Sequence, residues 1–571
     1  MTPSPQQQAV IAAPLGPLAV IACAGSGKTA TAIERLVAMR CLLGANRGRV
    51  ALLSFSNGAV DTFRKGYETL ASGLSLTGIR SRVDIDTLDA FITSHILRPH
   101  AYRTMGAPRA AFLVTGHEPF LSGFNCSAAN FPIAITQVKV GIVDGDAVFY
   151  RDFQGNREVL NGHAANQVAR LGRTGGYTHE LGRYWCYRTL REQPHVLSAL
   201  VRRYPHVLID EAQDIGSLHQ AILDLLIAAG MQVSLIGDPN QGIYEFAGAD
   251  GAFLRNYDQR KEVTAFGLTT NYRSVPPILD LANFLSGRND VPHRAKLPGH
   301  HGVHFKGYTD QSLATLLDAF RGEVENQGMQ LKDAVVVCRG RAQVDQLAGL
   351  TDPAGQGVVK VFAEAAVLRD VHGRFLEAFM AVARGVIQLL NAPPPGLLAQ
   401  VCHPAHVREM RELKRCLWSF TRNADTGLPL ASLPADSDWH RELLARVRQL
   451  LAKIQQDFGY APVDNLGRKV ARTGLPAAPL SAGLAPGAAR QHRLRVETVH
   501  QVKGESIDAV LYVATAAQIK SMLAGVHDEL GRIGYVAATR ARNLLWLGVP
   551  DSALKKLRPV LIKAGFLEVP P

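Results

Sequence analysis

Two glycines, a lysine and a threonine lie close together in the segment AVIACAGSGKTATAIERL, residues 19–36, a combination typical of a phosphate-binding loop. The loop fits the pattern A/G-x-x-x-x-G-K-S/T, with Ala22 at its first position. Glycine permits the backbone angles that aim successive N–H groups at one anion. Lys28 would reach the β- and γ-phosphates, and the Thr29 hydroxyl would bind Mg²⁺. The predicted nucleotide-binding residues of the loop are Ala24, Gly25, Ser26, Gly27, Lys28 and Thr29.

Local patterns supply the elements that would position this loop. Residues 18–22 form an apolar run suited to a buried strand, and residues 29–39 carry apolar side chains at helical spacing. The order strand, tight loop, helix directs the positive end of the helix at a bound phosphate. The alternative interpretation is a glycine-rich turn that binds nothing, and partner residues downstream would argue against it.

Two carboxylates follow a later apolar run in the segment HVLIDEAQD. Residues 207–209 predict a short strand, Asp210 lies at its carboxyl end, and Glu211 follows. Asp210 is the candidate Mg²⁺ ligand, and Glu211 is the candidate base that orients the attacking water. The alternative is a strand that ends in solvated acids.

A third strand is predicted in VSLIGDPNQGIYEFAGA, residues 233–249. Gln241 near its end is placed to sense the γ-phosphate. Tyr244 and Phe246 would offer ring faces to nucleic-acid bases, and each such stack contributes about 1–3 kcal/mol. Taken singly, the two aromatic residues fit a hydrophobic core better than a ligand contact, and it is the neighbouring γ-phosphate sensor that favours stacking.

At these motifs the chain resembles the UvrD/Rep-type superfamily 1 helicases, and the similarity runs from about Gln7 to about Arg542. The further segments that carry the resemblance are SPQQQAVIAAP, LLSFSNGAVDTF, DTLDAF, LTTNYRS, VETVHQVKGES and YVAATRAR. They occur in the order in which the family has them, which makes a chance match negligible.

The resemblance implies roles for residues in these segments. Gln7 would read adenine and Tyr272 would stack on it, while Glu505 would reach the ribose. Arg273 and Arg540 would be arginine fingers that stabilise charge on the γ-phosphate in the transition state. The residues that would contact single-stranded DNA are Phe55, Asn57, Thr87, Tyr244, Phe246, Thr498 and His500.

Among the departures from the family pattern, which include Cys23 and Ala30 at the phosphate loop, two affect expected contacts. Glu505 comes one residue earlier than the acid of the usual K-G-L-E, and Ser506 occupies the expected place. Ala247 replaces the arginine that follows the aromatic residue of the third strand motif, which would weaken a DNA contact.

The implied fold is α/β, with two RecA-like P-loop NTPase lobes built on parallel sheets, each carrying a mainly helical insertion. The expected parts are lobe 1A at 1–91 and 188–265, insertion 1B at 92–187, lobe 2A at 266–372 and 490–571, and a shortened insertion 2B at 373–489.

Composition is consistent with a nucleic-acid partner, since the 571 residues carry a formal net charge of +13. The N-terminal residues lack the features of a secretory signal, and the sequence has no apolar run long enough to span a membrane. We therefore expect a cytoplasmic protein without a membrane partner.

The expected activity is ATP hydrolysis with Mg²⁺ that drives movement along single-stranded DNA or at a single-strand/duplex junction, in the 3′ to 5′ direction, in repair, recombination or defence. Any nuclease is expected to be a separate polypeptide. One alternative is a DNA-activated ATPase switch in a larger complex, without processive unwinding, which the short second insertion favours. A motor on RNA is another alternative, because phosphate contacts and stacking tolerate either sugar.

Overall fold

The computed structural model consists of two compact units, and each is described by itself. Unit 1 comprises Met1–Ile96, Cys186–Ala348 and Arg493–Pro571, and unit 2 comprises Leu97–Trp185 and Gly349–His492. The structure describes residues 2–44, 48–72, 82–108, 110–114, 116, 118–128, 131–153, 156–245, 248–295, 301–309, 311–347, 354–402, 404, 407–482 and 494–570.

Unit 1 contains a first six-stranded sheet whose paired strands all run parallel. In spatial order the strands are Thr264–Leu268, Leu18–Ala22, Gln232–Gly237, His206–Ile209, Val50–Ser54 and Val83–Thr87. The central strands are buried on both faces, as expected for short aliphatic runs covered by helices. The helices of this part are Pro5–Ala12, Lys28–Leu43, Asn57–Ser72, Leu88–Ile92, Pro194–Arg203, Ser217–Ala228 and Ala252–Tyr257.

A second six-stranded parallel sheet completes unit 1. Its strands in spatial order are Arg495–Thr498, Ala334–Cys338, Ile507–Val513, Ala541–Pro550, Gly302–Tyr308 and Leu567–Glu568. The accompanying helices are Pro276–Ser286, Leu313–Asn326, Arg341–Leu347, Ala516–Ala524, Glu529–Arg540 and Asp551–Lys563. The predicted α/β fold with two RecA-like lobes is therefore confirmed, and the two lobes share unit 1.

The first part of unit 2 combines helices with antiparallel strands, so it differs from the expected mainly helical insertion. Asn125–Ala128 pairs with Phe131–Ala134, and a second sheet has the strands Lys139–Val143, Asp146–Phe153 and Asn156–Val159. Its helices are Arg98–Thr104, Gly162–Arg173 and the first half of His179–Glu192.

The second part of unit 2 is helical and has its own hydrophobic core around the fully buried Trp439. Its helices are Gly357–Asp370, Phe375–Gln388, Leu397–Cys402, Arg408–Arg422, His440–Phe458 and Leu466–Lys469. The first of these packs in this core through Val359 and Phe362, although the sequence division places it in lobe 2A. None of the described helices is long and apolar enough to cross a membrane.

Candidate active site

The predicted phosphate loop joins the strand Leu18–Ala22 to the helix Lys28–Leu43. Gly25 and Gly27 have φ angles of 72° and 80°, in the left-handed region that glycine enters without steric cost. The loop therefore has the strand, turn and helix order that the sequence predicts, with the helix N-terminus directly after it.

Three consecutive carbonyl oxygens of this loop accept hydrogen bonds from outside it. The pairs are Ala24 O with Asn271 Nδ2 at 2.7 Å, Gly25 O with Tyr272 N at 2.9 Å and Ser26 O with Gln7 Nε2 at 3.0 Å. Ser26 N donates to the Cys23 carbonyl at 3.3 Å within the loop. Because C=O and N–H point in opposite directions across a trans peptide bond, the N–H groups of Gly25 and Gly27, which follow the other two carbonyls, are turned to the other side of the loop. That orientation is the one a phosphate cradle needs.

The side-chain amide of Gln7 is held at both ends. Ser4 and Gln7 form a reciprocal capping box at the start of the helix Pro5–Ala12, and Gln7 Oε1 accepts from Ser4 N at 2.9 Å. Its Nε2 reaches the Ser26 carbonyl, so the structure brings Gln7 to the loop, and its role toward adenine stays a prediction.

Asp210 occupies the carboxyl end of the strand His206–Ile209, where its backbone N–H donates to the Leu53 carbonyl at 2.9 Å. The residue is 2% exposed, and its Oδ1 has no hydrogen-bond partner among the described residues. Burial, followed by the negative charge of Glu211, raises the pKa of the Asp210 carboxyl group. A buried carboxylate oxygen without a partner fits a group that binds a cation.

Glu211 adopts a φ angle of 55°, which is uncommon for a residue with a side chain. Its Oε2 accepts a hydrogen bond from Gln213 Nε2. Burial raises the pKa of Glu211, but the positive charges of Lys28, Lys503 and Arg540 together with the hydrogen bond from Gln213 outweigh burial, and the pKa falls below its ordinary value. Glu211 is therefore ionised at neutral pH, as a base that orients water must be.

Gln241 and Arg540 connect the two lobes at this site. Arg540 ends the helix Glu529–Arg540, is 2% exposed, and donates through Nη2 to Gln241 Oε1 at 2.9 Å. Gln241 Nε2 in turn donates to Asp238 Oδ2 at 2.9 Å. The predicted γ-phosphate sensor and one predicted arginine finger are therefore in direct contact.

The second predicted finger, Arg273, donates through Nη1 to the carbonyl of Thr539 at 2.9 Å. Burial, and then the positive charge of Arg540, lowers the pKa of Arg273, and both guanidinium groups stay protonated at neutral pH. The side chain of Arg273 is thus held beside the residue that precedes Arg540, and the structure brings both arginines to the lobe boundary.

Two other residues expected at the nucleotide have partners of their own. Tyr272 lies against His293, with ring centroids 4.7 Å apart and planes at 42°. Both carboxylate oxygens of Glu505 accept from Arg495 Nη2 at 2.8 Å on an exposed part of the surface. The Glu505 carbonyl, rather than its carboxylate, lies 3.4 Å from Arg540 Nη1, so a ribose contact by Glu505 remains a prediction.

A buried ion pair between the lobes was missed by sequence reasoning. Lys503 Nζ lies 2.5 and 2.7 Å from the two oxygens of Asp214, and it donates to the Gln241 carbonyl at 2.9 Å. The lysine and aspartate side chains are 8% and 5% exposed. Both residues belong to segments already recognised as motifs, DEAQD and VHQVKGES, and this is the signal that could have found them.

No sequence pattern predicted a second contact between the lobes, made by Arg532. Arg532 is 4% exposed and donates through Nε to the Gly242 carbonyl and through Nη2 to Glu245 Oε2, both at 2.6 Å. Tyr535, on the same helix, donates to Asp238 Oδ2 at 3.1 Å. These bonds fasten the helix that carries Arg540 to the segment that carries Gln241.

A cavity of about 530 Å³ connects the metal-site candidates with several residues expected at nucleic acid. Phe55, Tyr244 and His500 line it together with Thr29 and Asp210. The Tyr244 and His500 rings lie 5.5 Å apart, and the His500 Nε2 lies 3.1 Å from the Ile243 carbonyl. Burial lowers the pKa of His500 and raises that of Tyr244 to about 12, so both rings are neutral at physiological pH.

Three of the other predicted DNA contacts lie outside this cavity. Asn57 is exposed at the start of the helix Asn57–Ser72. Thr87 caps the helix Leu88–Ile92 by accepting from Ala90 N at 3.1 Å. Thr498 donates through Oγ1 to Gln501 Oε1 at 2.9 Å. Phe246 and Ala247 lie outside the described residues.

Hard oxygen donors are available for Mg²⁺, because Thr29 and Asp210 line the cavity and Asp210 Oδ1 has no partner among the described residues. The residues present therefore fit the metal that the sequence predicts.

Comparison with known proteins shows similarity to DNA helicases. Residues 3–131 and 179–262 match the model of the UvrD/REP helicase N-terminal domain. The chain is 26% identical over 299 residues to DNA helicase II of Haemophilus influenzae, a match covering 50% of the chain and 40% of that protein. It is 29% identical over 173 residues to the putative ATP-dependent DNA helicase YjcD of Bacillus subtilis, covering 28% and 23%.

A shorter match is 34% identical over 113 residues to an ATP-dependent helicase/nuclease subunit of Natranaerobius thermophilus, covering 18% of the chain and 9% of that protein. Each of these matches spans less than half the length of the relative.

Proposed function

We propose that this chain, which belongs to the UvrD/Rep-type helicase family, hydrolyses ATP with Mg²⁺ and uses the energy to move along single-stranded DNA in the 3′ to 5′ direction. The observation that carries the proposal is the 2.9 Å hydrogen bond between Arg540 of the second lobe and Gln241 of the first. A catalytic arginine that arrives from the other lobe makes hydrolysis depend on lobe closure.

In the proposed reaction the phosphate loop binds the triphosphate and Lys28 neutralises its terminal charge. Thr29 and Asp210 would hold Mg²⁺, which would polarise the phosphate oxygens. Glu211, ionised and half-buried, would orient the attacking water. Gln241 detects the γ-phosphate, and the two guanidinium groups stabilise the charge that spreads over it in the transition state.

Release of phosphate removes the charge that attracts Arg273 and Arg540, and we propose that the lobes then separate. DNA held on both lobes would advance with each closure and opening. Tyr244 supplies one stacking surface, and its ring lies 4.9 Å from Lys503 Nζ, a residue that also joins the lobes. Movement of the lobes would therefore shift the Tyr244 ring and the DNA base stacked on it.

For the domain organisation we retain the division predicted from the sequence, with lobes 1A and 2A and insertions 1B and 2B. The helical core that includes Gly357–Asp370 suggests that insertion 2B begins before residue 373.

The test is ATP turnover measured with poly-dT, duplex DNA and poly-U as separate activators, with Lys28→Ala as the inactive control. We expect poly-dT to stimulate turnover most, and Lys28→Ala to lose turnover while it keeps DNA affinity. Turnover that is unchanged in Lys28→Ala would refute the site. Stronger stimulation by poly-U would make the protein an RNA motor.

A second candidate is a DNA-activated ATPase that works in one complex with a separate nuclease, and one similar protein is named as a helicase/nuclease subunit. A strand-displacement assay run beside the ATPase assay separates the two functions. Displacement by the chain alone supports the motor, whereas DNA-stimulated hydrolysis without displacement supports the role in a complex.

A further inference from the structure

Ser54 is the last residue of the strand Val50–Ser54 and lies beside Asp210 at the same edge of the first sheet. The register pairs Leu53 with Ile209, and Asp210 N donates to the Leu53 carbonyl at 2.9 Å. Ser54 follows Leu53 and Asp210 follows Ile209, so these two residues lie opposite each other. Residues opposite each other in a parallel pair direct their side chains to the same face, so the hydroxyl and the carboxylate share one side of the sheet.

The Ser54 hydroxyl is buried without a partner. The residue is 1% exposed, and its Oγ makes no hydrogen bond within the described part of the chain. Asp210 Oδ1 is also buried without a hydrogen-bond partner among the described residues. Ser54 and Asp210 both line the 530 Å³ cavity, together with Thr29. Buried polar atoms in native proteins are satisfied by protein, water or ligand, so this pair indicates something that binds between them.

The two unpartnered groups lie on neighbouring strands and line the same cavity. Neighbouring strands lie about 4.8 Å apart, and the two side chains do not bond to each other. Mg²⁺ dehydrates reluctantly and keeps several waters in its coordination shell, and a serine hydroxyl can both donate to and accept from such a water.

We propose that Ser54 is a positioning residue that holds a water ligand of the Mg²⁺ bound by Thr29 and Asp210. This inference rests on the proposed ATPase function. Ser54 acts through the water and does not itself bind the metal, so its loss weakens the metal site without removing a metal ligand. Partners of this kind typically change metal affinity by about 10–100-fold when they are removed.

The experiment is a Mg²⁺ titration, from an EDTA-treated start, of binding of a fluorescent non-hydrolysable ATP analogue to the full chain. The variants are Ser54→Ala and the matched control Ser234→Ala. Ser234 is also fully buried in a strand of the same sheet, but its Oγ donates to the Gly16 carbonyl at 3.1 Å and accepts from Leu18 N at 3.3 Å. Melting temperatures are measured without Mg²⁺.

We expect Ser54→Ala to raise the Mg²⁺ midpoint by about 10-fold or more and to melt no lower than the wild-type protein, because an unpartnered hydroxyl is removed. Ser234→Ala should melt lower and keep the wild-type midpoint. A midpoint shift below about twofold in Ser54→Ala, or an equal shift in Ser234→Ala, would overturn the role of Ser54 alone. A wild-type protein that does not bind the analogue would overturn the proposed function as well.

Discussion

The buried ion pair between Lys503 and Asp214 gives the sharpest prediction about lobe closure. Lys503→Met leaves the Asp214 carboxylate, 5% exposed in the structure, without its cation. It also removes the hydrogen bond to the Gln241 carbonyl at 2.9 Å and the positive charge 4.9 Å from the Tyr244 ring.

The size of the effect follows from the buried carboxylate. Removing one partner of a buried ion pair costs about 3–5 kcal/mol, because the remaining charge is uncompensated. Separation of the lobes returns Asp214 to water, so we expect the cost to appear as lost closure and not as global unfolding. With 1.36 kcal/mol for each factor of ten, the closed population falls by about 10²–10⁴-fold.

The defect should depend on pH. Burial raises the pKa of Asp214 to about 6 even though Lys503 lowers it, and without Lys503 the pKa rises further. A carboxyl group whose pKa is raised in the closed state binds its proton more tightly there, so closure gains stability as the pH falls. We expect the Lys503→Met defect to be largest near pH 8 and to shrink by up to about tenfold for each pH unit between the raised pKa and about 6. Below about 6, the pKa of Asp214 with Lys503 present, both proteins gain closure equally.

The assay is poly-dT-stimulated ATP turnover, combined with energy transfer between dyes placed on the two lobes. Arg558→Met is the control, because it removes one positive charge from an exposed pair with Glu568, and such pairs contribute about 0–1 kcal/mol. The double variant Lys503→Met/Asp214→Leu should recover part of the closure, since a matched apolar pair carries no buried charge. The reasoning fails if Lys503→Met behaves like Arg558→Met, or if the double variant closes no better than the single one.

Three further variants test the site. Arg540→Lys keeps the charge but loses the planar donors, so kcat for ATP should fall by about 10³-fold or more, and a change in KM alone would contradict the finger role. Tyr244→Ala should weaken poly-dT binding by about 1–3 kcal/mol in fluorescence anisotropy while Tyr244→Phe binds normally, and equal losses in both would argue against stacking. Gly25→Ala places a Cβ 2.5 Å from Arg273 Cβ at a φ of 72°, so nucleotide affinity should fall, whereas Gly16→Ala, with open space around it, should bind normally.

Local sequence patterns predicted the first half of the site because parallel strands end at one edge of a sheet. Lys28, Asp210 and Gln241 each follow a different buried strand, so the strand predictions alone place them near one another. Arg273 and Arg540 are different, since only the family resemblance suggested that they come to this edge.

The inter-lobe contacts could not be predicted from local patterns. Arg532 contacts residues 290 and 287 positions earlier in the chain, and no periodicity links such distant positions. The packing of the helix Gly357–Asp370 in the helical core of unit 2 could not be predicted for a related reason. An apolar helix face shows that the helix packs, but it does not identify the partner.

The loop carbonyls connect nucleotide binding to closure in a way that the side-chain motifs do not. Asn271 Nδ2 and Tyr272 N bind two successive carbonyls of the phosphate loop, and Asn271 Oδ1 accepts from Arg273 N at 2.9 Å. The segment that binds the carbonyl groups of the phosphate loop, residues 271–272, is therefore directly followed by the arginine finger Arg273. Because rotating a peptide group moves its C=O and N–H together, a loop that adjusts to phosphate must pull on Asn271 and Tyr272. The position of Arg273 is then coupled to the state of the loop through the backbone, before its guanidinium group meets any phosphate.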